Sequence, residues 1–188
     1  MEQQESWQTR EDGCKLSSMR IRWRLLAALV LLGALAAARA EQIKTALAGV
    51  DRVVVFKQRH ELQLWSAGKM LKSYTVALGP NPIGPKEREG DGRTPEGIYK
   101  VVGHNPKSTF HLSLRISYPN AEDRARAARL GVSPGGDIMI HGIPNSFGWL
   151  GSYRIRRDWT AGCIALSNDE IEEIYEAVDD NTLVEIRP

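Results

Sequence analysis

Residues 141–163 read HGIPNSFGWLGSYRIRRDWTAGC, and the reading of this stretch decides the rest. It opens with His141-Gly142 directly after the short apolar run Asp137-Ile138-Met139-Ile140. It closes, twenty-two positions later, on Cys163, framed as Thr160-Ala161-Gly162-Cys163-Ile164-Ala165. A thiol nucleophile needs a base within hydrogen-bond reach and backbone N–H groups to receive a developing oxyanion. A histidine at a strand end can be that base. A glycine before the cysteine lets neighbouring N–H groups converge on one point. The composition alone leaves a second reading open, a buried structural cysteine beside a hydrogen-bonded histidine.

Working outward, the downstream segment Ile164-Ala165-Leu166 leads to Ser167 and Glu170, the spacing of a capping box. Ile171, Ile174, Tyr175 and Val178 then fall on one helical face, and residues 182–186 read as a closing strand. Upstream, residues 111–117 alternate as a strand. Leu112, Leu114 and Ile116 are expected on one face, and His111, Ser113, Arg115 and Ser117 on the other. Asn120 is expected to cap a short helix with Asp123 at its third position, and Ala121, Ala125 and Ala128 as its apolar stripe. Residues 98–102 read as a strand. Residues 53–56 read as a buried strand, and residues 62–78 as a hairpin turning at Ser66-Ala67-Gly68-Lys69. Residues 79–97 carry four prolines and five glycines, so they are expected to be an irregular loop that is either functional or mobile. The fold class that follows is mixed and β-rich with a few short helices.

The N-terminus reads as an address. Arg20, Arg22 and Arg24 precede an apolar run over residues 25–38, and Ala38-Arg39-Ala40 has the small-x-small form of a signal-peptidase site. The run is shorter than the roughly 20 residues a spanning helix needs. Residues 1–40 are therefore expected to be a secretory leader with Met19 as a possible true start, and residues 41–188 a single domain. An uncleaved anchor is the alternative, and it is the one expected membrane contact. The chain has 25 Lys/Arg and 23 Asp/Glu; six and four of these lie in residues 1–40, leaving nineteen of each sign in the remainder. No concentrated basic excess remains for nucleic acid. Cys14 falls in the leader. Cys163 is then alone in the globular part, which excludes a disulfide-stapled scaffold. His104, His111, His141 and Cys163 show no close ligand pair, which disfavours a metal hydrolase.

The HG…TAGCIAL pattern, with GDGRTPEGIYKV and HLSLRISYPN upstream, resembles the L,D-transpeptidase catalytic domain of the YkuD-like family, from about Arg52 to the C-terminus. The resemblance implies a β-sandwich-like catalytic domain, no cofactor, and a periplasmic or cell-envelope location. It implies Cys163 as nucleophile on peptidoglycan peptide stems and His141 as base, oriented by the Gly142 carbonyl, with Gly162 and Cys163 N–H groups as oxyanion donors. Thr160 matches a Ser/Thr position that shapes the loop or bonds substrate. This chain has Ala161 where family members often have His, and Ala165 where many carry Arg or Asn. Arg154, Arg156 and Arg157 are candidate substitutes for a substrate-carboxylate contact. The DWTxGCIA variant resembles a branch that includes enzymes releasing lipoprotein from peptidoglycan. The acceptor stays open among a second diamino acid, a lipoprotein lysine and water, and a silent wall-binding module is the reading from a different class.

Overall fold

The computed structural model describes residues 31, 33–35, 37, 38, 41, 42, 45–147, 155 and 157–188. The chain divides into two units, Met1–Ile43 and Lys44–Pro188. Of the first, the described residues are helical, and among the described residues no helix is long and apolar enough to cross a membrane. The leader itself lies largely outside the described residues.

The second unit is built on eight strands: β1 (Arg52–Phe56), β2 (Glu61–Ser66), β3 (Lys69–Thr75), β4 (Gly97–Ser108), β5 (His111–Ile116), β6 (Met139–His141), β7 (Ile164–Ala165) and β8 (Leu183–Arg187). Two helices complete it, α1 (Ala121–Arg129) and α2 (Asn168–Ala177). The strands run in the order β3-β2-β1-β8-β4-β5-β6-β7, with β1/β8 and β6/β7 parallel and the other pairs antiparallel. This is the β-rich mixed architecture expected of the sequence.

Register explains the core. Leu64, Val53, Val184 and Tyr99 lie side by side across β2, β1, β8 and β4, and Leu62, Val55 and Ile186 form the next row. All seven side chains are buried. β-branched residues fit this pleated, crowded surface, which is why the 53–56 run is a strand. Ile171 and Ile174 of α2, and Val178 at its C-cap, are buried as the helical spacing predicted, and the capping box joins Ser167 to Glu170.

Three expectations need correction. The strand expected at 98–102 continues to Ser108. Its register shifts between Asn105 and Ser108 accommodate Pro106, which cannot donate to a ladder. Its first half pairs with β8 and its second with β5, so β4 is the corner shared by both parts of the sheet. In α1 the inward face is Asp123 and Ala127, not the alanine stripe. Asp123 is buried because it accepts from Asn120 N at 3.0 Å, Arg126 at 2.6 Å and Tyr99 OH at 3.1 Å. On β5, Ser113 is buried, whereas alternation placed it on the polar face.

The two ends of the strand order meet. Ala77, just after β3, exchanges two backbone hydrogen bonds of 2.9 Å with Ala165 of β7. This bridge covers the outer side of β7 at Ala165, where an unpaired edge would otherwise invite another chain.

The 79–97 loop has no regular structure, but it is tightly held. Buried Lys57 donates to Gly84 O at 2.5 Å, Thr94 O at 2.9 Å and Glu96 at 2.9 Å. Asp91 accepts from buried Lys86 and from the N–H groups of Glu87, Arg88 and Arg93. Burial alone would raise the Asp91 pKa; these donors overcome it and hold the carboxyl at about 2. A carboxyl depressed in the folded state stabilises above its unfolded pKa, and that stability is lost as pH falls through the folded value. Asp91→Asn should therefore cost about 2 kcal/mol at pH 7, with the deficit shrinking between pH 4 and pH 2. Urea unfolding across that range measures it; a deficit independent of pH would refute the electrostatic account.

Candidate active site

Strand pairing brings the two ends of the 141–163 stretch together. β6 and β7 are parallel with Ile140 opposite Ile164 and His141 opposite Ala165, so Cys163 falls level with Met139. Alternation then puts Cys163, Met139, His141 and Ala165 on one face, with the thiol one row from the imidazole. On β5, Arg115 is level with Met139 and Ser113 with His141. The opposite face carries Leu114, Ile140 and Ile164, all fully buried. On the site face the Ser113/His141/Ala165 row is covered, while Cys163 and Met139 are partly exposed and Arg115 is exposed. The thiol therefore sits at the mouth and the imidazole behind it.

His141 Nδ1 lies 2.7 Å from Gly142 O. That geometry assigns the proton to Nδ1 and leaves Nε2 as the basic nitrogen. Phe110 and Trp159 wall the ring at centroid distances of 4.4 and 5.7 Å. Gly142 has no room for a side chain: a Cβ would come within 2.8 Å of Asn168 Oδ1 and 2.9 Å of Phe110 O. Its N–H donates to Phe110 O and Leu112 O, and Asn168 Oδ1 accepts from Ile143 N at 2.9 Å. Phe110, Trp159 and Asn168 were not singled out from the sequence, because nothing local links them to His141.

The turn leading into Cys163 is stitched internally. Thr160 Oγ1 donates to Cys163 O at 2.7 Å and accepts from Gly162 N at 3.1 Å. The Gly162 N–H expected to serve as an oxyanion donor is thus engaged within the turn. Trp159 N and Thr160 N both reach Leu78 O at 3.0 Å, and Asp158 accepts from Leu78 N at 2.7 Å while pairing with His60. Asp158 is thereby committed to holding the turn. Gly162 has φ +125° and abuts the long loop, since a Cβ there would lie 2.4 Å from Arg93 O. Gly79 is pressed against Gly92 in the same way.

Of the arginines named from the sequence, Arg157 is exposed; Arg154 and Arg156 lie outside the described residues. His104 and His111 are taken up by Asp180 and Glu172. Among the described residues no group of three or more His, Cys, Asp or Glu could hold a metal ion.

Electrostatics favour a neutral pair at rest. Burial pushes the Cys163 thiol up, against the Met139 N–H and the Lys86 charge, which draw it down. Burial likewise pushes His141 down, against its bond to Gly142. The Cys163 thiol lies 3.8 Å from Asp137 O, to which it donates weakly. Both directions oppose a standing thiolate–imidazolium pair.

Two outcomes follow from this geometry. Iodoacetamide labelling of Cys163, followed by peptide mass spectrometry, should rise with pH past 9 without a plateau between pH 5 and 7. A fast acidic plateau would show a preformed ion pair. Gly162→Ala should lower stability by roughly 1–3 kcal/mol, because it adds a clash to an unfavourable φ, and thermal melting reads this directly.

The chain is 31% identical over 132 residues to YafK of Escherichia coli (strain K12), covering 67% of this chain and 46% of that protein. Its fold matches the crystal structure of the helical cell shape determining protein Pgp2 from Campylobacter jejuni. The TM-score is 0.57 at 29% identity, covering 74% of this chain and 48% of Pgp2. An L,D-transpeptidase from Mycobacterium smegmatis shares the fold at TM-score 0.50 and 16% identity, over 74% of this chain and 60% of that one. The chain thus spans about half the length of YafK and of Pgp2. The model of the YkuD family, the L,D-transpeptidase catalytic domain, matches residues 50–186, and the protein belongs to that family.

Proposed function

We propose that this domain is a peptidoglycan-modifying cysteine acyltransferase. Cys163 attacks the carbonyl of a diamino acid–D-alanine bond in a peptide stem and passes the acyl group to an amine. The observation that carries this reading is the placement of Cys163 at an open mouth, one row from an imidazole whose Nδ1 faces the Gly142 carbonyl.

Burial pushes the thiol up and the imidazole down, so in this reading proton transfer accompanies attack. His141 Nε2 takes the Sγ proton as sulfur bonds to the carbonyl carbon; the C–N bond breaks and Nε2–H protonates the departing D-alanine amine. The product is a thioester. An acceptor amine then attacks it, gives its proton to Nε2, and expels the thiolate, which recovers its proton from His141. The Cys163 N–H is the oxyanion donor this geometry favours, since Gly162 N–H is held by Thr160. Gly162 contributes by shape and Thr160 by fixing the turn. Arg157, with Arg154 and Arg156 close by in sequence, is a candidate contact for the approaching stem. Residues 1–40 would deliver the protein to the periplasm or cell envelope, where such stems, and any lipoprotein linked to them, are found.

Incubation of the purified protein with defined tetrapeptide muropeptides, read by mass spectrometry, tests this. A linked dimer lacking one terminal D-alanine is expected. Loss of D-alanine without a dimer would assign the hydrolytic reading, in which water takes the acceptor's place. Cys163→Ala should abolish either product, and His141→Gln should slow it about 10²–10⁴-fold. Unchanged turnover in Cys163→Ala would refute the mechanism.

A further inference from the structure

The proposed mechanism charges His141 in a site that does little to receive a cation. The residue is 3% exposed, and burial pushes its imidazole away from the charged form. Among the described residues no carboxylate is hydrogen-bonded to the ring, whose Nδ1 meets the Gly142 carbonyl. Asp158, next to the Trp159 wall, is taken up by His60 and Leu78 N, and Glu172 by His111. In the strand register, Arg115 on β5 and Cys163 on β7 stand one row away.

Strand pairing places one further dipole beside the ring. Ser113 of β5 is the register partner of His141 on β6. Gly142 N donates to Leu112 O at 3.2 Å and Ile116 N to Ile138 O at 3.1 Å, so the hydrogen-bonded pairs fall on either side of it. Ser113 and His141 are therefore a non-hydrogen-bonded pair, the kind that brings side chains closest, with Cβ atoms about 4.5–5.5 Å apart. On the other flank His141 faces Ala165, which has no polar side-chain atom. Ser113 is 1% exposed, and among the described residues its Oγ has no hydrogen-bond partner. Burying a hydroxyl unpaired is costly, and alanine would fill the same row without that cost. A polar group from which the fold gains nothing is a candidate for the chemistry.

We propose that Ser113 is a positioning residue for His141, its hydroxyl turning a lone pair toward the ring as the imidazolium forms. A hydroxyl rotates about its C–O bond, so it can face a neutral ring and then a charged one without moving a heavy atom. Phe110 and Trp159 wall the ring, and in so dry a place one aligned dipole counts for more than it would in water. No bond to Ser113 forms or breaks. The proton passes from Sγ to Nε2 and on to the leaving amine, and Ser113 acts only through His141. The inference rests on the proposed acyl transfer, since that reaction is what charges the ring.

Titration separates this inference from the function beneath it. The His141 ring is followed by NMR in the full chain, its signals assigned by their loss in His141→Gln. Ser113→Ala should lower the pKa of that ring by about 0.5 to 1, and Ser113→Thr, which keeps the hydroxyl, should restore most of it. The alanine variant should melt at or above the wild-type temperature. On the tetrapeptide muropeptide its kcat should fall about three- to ten-fold with KM unchanged, in step with the pKa. A His141 pKa or a kcat unmoved by Ser113→Ala would overturn the proposal, as would a loss of activity that comes with a matching loss of thermal stability. A wild-type protein that turns over no muropeptide would sink the acyl-transfer reading, and the titration would still decide for or against the coupling of Ser113 to the ring.

Discussion

The structure depends on one short parallel pairing, two residues of β7 against β6. Parallel strands need a crossover, and here the crossover is the whole stretch between His141 and Cys163. The register of that pairing, Ile140 to Ile164, sets the thiol level with Met139 and beside the imidazole row. A slip of one residue would turn Cys163 toward the core and Ile164 toward solvent. So short a strand cannot hold its register alone. It is clamped on its other side by the two bonds between Ala77 and Ala165, which also close the strand order upon itself.

Glycines serve the same end by removing bulk where backbones converge. Gly142 lets the His141 turn lie close to Phe110 and Asn168, and Gly162 lets the turn before Cys163 press on the carbonyl of Arg93. The 79–97 loop is therefore a rigid wall of the site. Its order comes from two buried lysines, Lys57 and Lys86, each surrounded by oxygen atoms that compensate for its removal from water.

Burial then sets the chemistry. The walls that aim His141 also exclude water from it, so both members of the dyad are pushed toward their neutral forms. A neutral resting thiol is less open to chance oxidation than a thiolate.

The sequence by itself determined much of this. Alternation and β-branching located β1, β2, β5 and β8, because those patterns report directly on one buried face. The Ser167–Glu170 spacing located α2, because a capping box is a local device. The ordered motifs around His141 and Cys163 pointed to the family. What tertiary structure decided is non-local. The strand expected over 98–102 runs on past Pro106 to Ser108, and Ser113, expected on the polar face, is buried level with His141, whose ring Phe110 and Trp159 wall. The 79–97 loop read as irregular and either functional or mobile; its order rests on Lys57, whose partners lie 27 to 39 residues away. Gly162 read as an oxyanion donor, and only the fold shows its N–H spent on Thr160. Ser113 and His141 stand far apart in the sequence, and no motif joins them. They meet because β5 pairs with β6, and a pairing between strands is fixed by the packing of the whole sheet, which no local pattern encodes.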